Sequence, residues 1–146
     1  MPALHVVYAR SHTLGGLLIR AREAFGQWSH CAIVTPDHTV VEAVMRKGVI
    51  ETSAADFVAR YPQPSQRRQE IIPCPDPAAG LAWARSQLGQ GYDYLAISGL
   101  AFGNSWQNSG RWQCAELLEA ALVQAGRRRF RSAPYRISPN MSWMAL

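Results

Sequence analysis

The chain has 146 residues, of which 48% are hydrophobic and 17% are charged, and its net charge is +5. This length and composition predict one globular domain over residues 1–146, without internal repeats or a linker. Arg10, His12 and Arg20 interrupt the apolar runs near the start, so a signal peptide is not expected, and no later run is long enough for a membrane span. We therefore expect a cytoplasmic protein.

Short apolar runs bounded by turn residues predict strands. In chain order they are "LHVVYA" (4–9), "HCAIV" (30–34), "TVVEAV" (39–44) and "RQEIIPC" (68–74), the last ending at Pro73. The second and third runs flank the turn "TPDH", which indicates a β-hairpin.

Capping residues and helical spacing predict the helices. In chain order they are Ser11 to about Phe25, the capping box "SAAD" to Arg60, Asp76 to a stop at Gly89, a helix after the loop "QGYDY", and "CAELLEAALVQAG", ended by Gly126. Strands mixed with helices, with hairpin-connected neighbours, favour an α+β fold with a small antiparallel sheet packed against helices.

Cys114 stands in the first turn of the last of these helices, where free N–H groups and the helix dipole favour a thiolate. The apolar residues spaced to share its face are Leu117, Leu118, Ala121, Leu122 and Ala125. The sulfur is therefore predicted to face the body of the protein. The same position suits a cysteine that only fills a core, and helix geometry does not decide between the two.

The hairpin offers a base for this thiol. His30 begins the first strand of the hairpin, and Glu42 occupies an otherwise apolar position in the return strand. An odd loop centred on Pro36 or Asp37 would place both side chains on one face, and an even loop would separate them. A buried carboxylate needs a partner, so Glu42 beside His30 predicts an acid that orients a base.

The remaining candidates are weaker. A hydroxyl from Tyr92 could stabilise an oxyanion together with the Cys114 N–H, although Tyr92 also suits a core position. Cys31 faces away from His30 on the strand and is interpreted as core, and Cys74 lies between prolines with no base nearby. Three cysteines without CxxC spacing argue against a disulfide framework and a zinc site, and no cofactor is expected.

The basic residues cluster near the C-terminus, where ten residues without an acid contain Arg127, Arg128, Arg129, Arg131 and Arg136. Such a cluster is typical of binding to an anionic partner, or of a solvated loop beside a helix C-terminus. We favour the solvated loop and expect no specific nucleic-acid partner, because no nucleic-acid motif accompanies the arginines.

Three segments, taken together, resemble a known family: "WSHCAIV…VVEAVMRKGVIETSAADFVARY", "ARSQLGQGYDY" and "WQCAELL". They are similar to circularly permuted papain-like cysteine hydrolases of the NlpC type, whose lecithin:retinol acyltransferase-like branch also places the histidine strand before the cysteine helix. The similarity covers about residues 4–125, and "RISPNMSW" resembles the Pro-containing segment that closes such domains. Ala115 departs from the serine that follows the cysteine in many relatives.

This resemblance implies a permuted papain-like domain in which Cys114 is the nucleophile, His30 the general base, Glu42 the third residue and Tyr92 an active-site tyrosine. The implied reaction is hydrolysis or acyl transfer at an amide or ester, with a peptide, a peptidoglycan fragment or an acyl lipid as substrate. The alternative is a catalytically silent papain-like module that binds peptidoglycan, lipid or an anionic partner. The sequence indicates no oligomeric state.

Overall fold

The structure, a computed structural model, describes residues 1–11, 27–94 and 110–146. Five antiparallel strands form the main sheet in the order β4-β3-β2-β1-β5. Their bounds are β1 Ala3–Ala9, β2 His30–Val34, β3 Thr39–Val44, β4 Gly48–Ser53 and β5 Arg67–Pro73. The fold is therefore α+β with an antiparallel sheet and several helices, as the sequence predicted.

Four α-helices accompany this sheet within the described ranges: α1 Ala54–Arg60, α2 Pro77–Ser86, α3 Cys114–Gln124 and α4 Pro139–Met144. Three of them begin at caps in which Ser53, Asp76 and Ser138 accept backbone N–H bonds. The caps at Ser53 and Asp76 confirm the predicted helix starts there. The predicted helix from Ser11 to Phe25 and the one after "QGYDY" lie outside the described residues.

The hydrophobic core covers both faces of the sheet. Helices α2 and α3 pack on one face, where Val6, Ile33 and Val41 meet Leu117 and Leu118. Helix α1 packs on the other face, where Phe57 of the helix and Tyr61, the residue after it, meet the alternate strand positions Val7, Ala9, Ala32 and Val40. Helices α1 and α3 thus cover opposite faces of the sheet, and His30, at the start of β2, is on the α1 face but still interacts with Cys114 at the start of α3.

Strand β4 corrects the sequence analysis, which predicted no strand between Val44 and Ser53. The turn before β4 uses left-handed backbone at Arg46 (φ 67°) and Gly48 (φ 77°). A Cβ on Gly48 would lie 2.1 Å from the Gln90 carbonyl oxygen, so only glycine fits there. Because only two residues of β4, Val49 and Ile50, are apolar, its pattern is too weak to predict a strand.

Two short parallel strands bring the segment that contains Tyr92 next to α3. They are β6 Gly91–Tyr92 and β7 Arg111–Trp112, and Tyr92 is paired with Trp112. Since Cys114 follows Trp112 by two residues, this pairing places Tyr92 close to the start of α3.

Candidate active site

The hairpin register brings His30 and Glu42 together. Strands β2 and β3 pair through Ile33 with Val41 and Val34 with Val40, which centres the loop on Asp37. This is the odd register, so His30 and Glu42 share the α1 face of the sheet as diagonal neighbours. His30 Nε2 lies 2.6 Å from Glu42 Oε2. Of the two registers that the sequence left open, the structure therefore has the one that lets Glu42 hold the imidazole.

Glu42 is fully buried and held on both oxygens. Its Oε2 accepts from His30, while Oε1 accepts a bond from the Arg60 guanidinium and lies 3.4 Å from Thr52 Oγ1. Burial raises the pKa of the Glu42 carboxyl, but the bonds and charges of His30 and Arg60 outweigh burial and lower the pKa below its ordinary value. Glu42 is therefore a carboxylate at neutral pH.

The His30 ring is stacked against two aromatic side chains, one in α1 and one directly after it. Its centroid lies 6.2 Å from that of Phe57 and 6.1 Å from that of Tyr61, at interplanar angles of 27° and 20°. Burial lowers the pKa of the imidazole, whereas Tyr61, Cys114 and Glu42 raise it, and the net result is a pKa well above the ordinary range. Because Nε2 faces Glu42, Nδ1 is the ring nitrogen left for the thiol of Cys114.

Cys114 is the first residue of α3, and its neighbour Gln113 caps the helix. Gln113 Oε1 accepts from the Ala115 N–H at 3.1 Å, and Gln113 Nε2 donates to the Ile137 carbonyl at 2.8 Å. Cys114 Sγ lies 3.9 Å from Gln113 Oε1. The buried Gln113 thus fixes the start of α3 against the C-terminal segment, and with it the position of the sulfur.

The sulfur of Cys114 interacts with β2 from two directions. The groups that act most strongly on its pKa are the thiol and backbone N–H of Cys31 and the imidazole of His30. The Cys31 bond and the His30 bond and charge outweigh the opposing effect of burial, so the pKa of Cys114 lies well below its ordinary value. With the pKa of His30 raised, the buried pair favours thiolate and imidazolium at neutral pH.

Cys31 was interpreted from the sequence as a core residue only, and this is incomplete. Cys31 is buried on the α3 face, opposite to His30, as predicted. That face is where Cys114 lies, so Cys31 also contacts the candidate nucleophile. Burial, followed by the bond to Cys114, raises the pKa of the Cys31 thiol, which therefore stays protonated and acts as the donor.

Tyr92 packs in the same cluster as Cys114 and Cys31. Burial and then the charge of Cys114 raise the pKa of the phenol well above its ordinary value, so the hydroxyl keeps its proton. Its ring meets Tyr94 edge-on, with centroids 5.2 Å apart. The structure thus brings Tyr92 to the site as a neutral hydroxyl donor, and an oxyanion-stabilising role for it remains a prediction.

Arg60 and Gln113 are parts of the site that sequence reasoning missed. Arg60 ends α1, seven residues after its Ser53 cap, and only the packing of α1 on the sheet reveals that it reaches Glu42. Gln113 carried a local signal, because a polar residue followed three positions later by Glu116 is a capping box. Neither local pattern predicts a contact with the site.

The arginine cluster divides into two kinds of residue, which corrects its interpretation as a solvated loop. The Arg129 side chain is 3% exposed and pairs with Glu119 of α3, itself 4% exposed. The other four arginines are exposed, as predicted: Arg127, Arg128, Arg131 and Arg136. The basic surface is therefore smaller than the sequence indicated.

Within the described ranges, no three histidine, cysteine or acidic side chains are grouped so that they could hold a metal ion. In the same ranges, every helix is too short or too polar to cross a lipid bilayer. No model of a known protein family matches the chain, and no curated protein matches it either.

Proposed function

We propose that this chain is a cysteine hydrolase or acyltransferase built on a circularly permuted papain-like domain of the NlpC type. The observation that supports it best is the Cys114–His30–Glu42 arrangement, in which a buried carboxylate lies 2.6 Å from one nitrogen of an imidazole, and this imidazole and the Cys114 thiol shift each other's pKa. A low pKa on the thiol and a high one on the imidazole are the electrostatic conditions that a thiolate nucleophile requires.

In this proposal the Cys114 thiolate attacks the carbonyl carbon of an amide or ester. The C–S bond forms, the oxygen takes the negative charge, and the imidazolium of His30 gives its proton to the leaving amine or alcohol as the carbonyl re-forms. His30 then deprotonates water or another acceptor, which attacks the acyl-enzyme and releases Cys114. Glu42 keeps the ring oriented and stabilises its positive charge throughout.

The substrate proposals follow the resemblance: a cell-wall peptide amide or the acyl group of a lipid. Tyr92 and the Cys114 backbone N–H would stabilise the oxyanion, since both lie at the start of α3. Hydrolysis and acyl transfer differ only in the nucleophile that resolves the acyl-enzyme, so the same residues serve either reaction.

The test is selective alkylation together with turnover. We expect iodoacetamide to modify Cys114 at pH 6 at least about tenfold faster than Cys74, another buried cysteine, because only Cys114 has a lowered pKa. Peptide mapping by mass spectrometry measures both rates in one sample. Cys114→Ser should abolish turnover of any muropeptide or acyl lipid that the wild type cleaves, whereas Cys74→Ser should retain it.

Equal rates at Cys114 and Cys74, with no acyl-enzyme found by intact mass, would refute the enzyme proposal. The second candidate, a silent papain-like binding module, is favoured by the exposed arginines of the C-terminal segment. If this candidate is right, the chain binds an anionic polymer or vesicle. This binding weakens steeply with salt and is lost when Arg127, Arg128 and Arg131 are neutralised together.

A further inference from the structure

Arg60 stands at the solvent side of the candidate site, with its side chain 33% exposed. Its guanidinium donates to Glu42 Oε1, the carboxylate oxygen that His30 does not use. The same guanidinium lies over the rings of Phe57 and Tyr61, 5.2 and 5.7 Å from their centroids. These contacts tie one cation to the acid and to two aromatic side chains.

Those two aromatic side chains are the ones that stack on His30. Phe57 and Tyr61 therefore contact the imidazole, while Arg60 contacts both of these rings and the carboxylate that holds the imidazole. A planar guanidinium suits both tasks, because it donates in a fixed fork and stacks on aromatic faces. A purely structural ion pair would not need to contact all the groups that orient one histidine.

We propose that Arg60 is a positioning residue, which keeps Glu42 ionised and fixed so that Glu42 can hold His30 against Cys114. This inference rests on the proposed function and deepens it. Arg60 acts through Glu42 and has no direct part in the bond-making steps. Its effect should therefore be strongest at acidic pH, where Glu42 would otherwise take up a proton.

The direction of the effect follows from the charges around each group. Loss of the Arg60 cation raises the pKa of Glu42, and a protonated Glu42 no longer stabilises the imidazolium on which the thiolate depends. Loss of the same positive charge also disfavours the thiolate directly. Both consequences move the acidic limb of Cys114 reactivity to higher pH.

Several groups interact with Glu42, His30 or Cys114 in this arrangement. They are Arg60 of α1 and Tyr61 directly after it, Thr52 of β4, Cys31 of β2 and Tyr92 of β6.

The experiment measures the rate of Cys114 alkylation by iodoacetamide from pH 4 to pH 9 in the full chain, with site-resolved mass spectrometry. For Arg60→Met we expect the acidic limb of the pH–rate profile to shift to higher pH by about one unit. At a given pH on that limb, Cys114 then reacts about tenfold more slowly. Arg60→Gln keeps a donor for Glu42 without the charge and should show the same shift. Arg60→Lys keeps the charge, so its acidic limb should lie close to that of the wild type.

Arg68→Met is the matched control. Arg68 also pairs with a carboxylate, at 2.9 Å from Glu70, and lies over an aromatic ring, 5.7 Å from the Trp143 centroid. Its profile should match the wild type. If folded Arg60→Met or Arg60→Gln gives the wild-type profile, the role of Arg60 is refuted while the proposed function stands. If wild-type Cys114 reacts no faster than Cys74, the proposed function itself fails.

Discussion

Two buried carboxylates, Glu42 and Glu119, lie on opposite faces of the sheet, and each is paired with an arginine. Glu42 meets Arg60 on the α1 face, and Glu119 meets Arg129 beside α3 and α4. Both acids are almost completely removed from solvent, at 0% and 4% exposure. By burial and ion pairing alone the two sites are alike.

The two carboxylates differ in the side chain that hydrogen-bonds to them besides the arginine. Glu119 Oε1 accepts from Ser142 Oγ at 2.7 Å, and Ser142 lies 2.9 Å from the hydroxyl of Tyr8. Burial raises the pKa of Tyr8 far above neutrality, so this network keeps one charge state. Glu42 instead meets His30, which lowers the pKa of the Cys114 thiol. Of these two buried acid–arginine pairs, only the one at Glu42 is linked to a titratable base beside a thiol.

The largest expected effect separates these two acids. Glu42→Gln should lower turnover by about 1,000-fold or more, because an amide supplies no charge for the imidazolium and must turn its NH2 toward either Arg60 or His30. Steady-state kinetics on a muropeptide or acyl lipid that the wild type cleaves measures the loss. A variant within tenfold of the wild type would remove Glu42 from the triad.

The matched control is Glu119→Gln, which should leave the rate per folded molecule unchanged. It should lower the free energy of unfolding by about 3 kcal/mol, because it leaves Arg129 buried beside an uncharged amide. Urea denaturation measures this cost. A large loss of activity in Glu119→Gln, at full stability, would break the distinction between the two sites.

Tyr92→Phe should give the next largest effect, about a 100-fold loss of turnover, because it removes one donor to the oxyanion and keeps the packing of the ring. Alkylation of Cys114 by iodoacetamide should stay the same, since that reaction forms no oxyanion. Measuring turnover and Cys114 alkylation in one preparation shows whether only turnover is lost. Unchanged turnover would make Tyr92 a core aromatic residue only.

Cys31→Ala should give the smallest effect. It removes the S–H bond to the Cys114 sulfur, so the pKa of Cys114 should rise toward its ordinary value by about one unit. Alkylation at pH 6 should then slow by about tenfold, while Cys74→Ala, another buried cysteine away from the pair, leaves the rate unchanged. A rate equal to that of the wild type would leave His30 as the group that lowers this pKa.

Much of the fold could be predicted from local pattern. The strands β1, β2, β3 and β5 follow from their apolar runs, the helix starts at Ser53 and Asp76 follow from capping chemistry, and the helix from Cys114 follows from its apolar spacing. Strand β4 could not be predicted, because only two of its six residues, Val49 and Ile50, are apolar. The burial of Arg129 could not be predicted either, because its partner Glu119 lies on a helix whose spacing gives no sign of that contact.

The sequence by itself determined which residues can do the chemistry. It set Cys114 on the buried stripe of α3 at its first turn, and it made Glu42 an acid in an apolar strand that required a partner. Only the tertiary structure decided that the hairpin loop is centred on Asp37 and that Cys31 interacts with Cys114. It also decided that Arg60 hydrogen-bonds to Glu42. The physical reason is that periodicity fixes the face a side chain takes within its own element. Register and packing between elements depend on contacts between residues far apart in the chain.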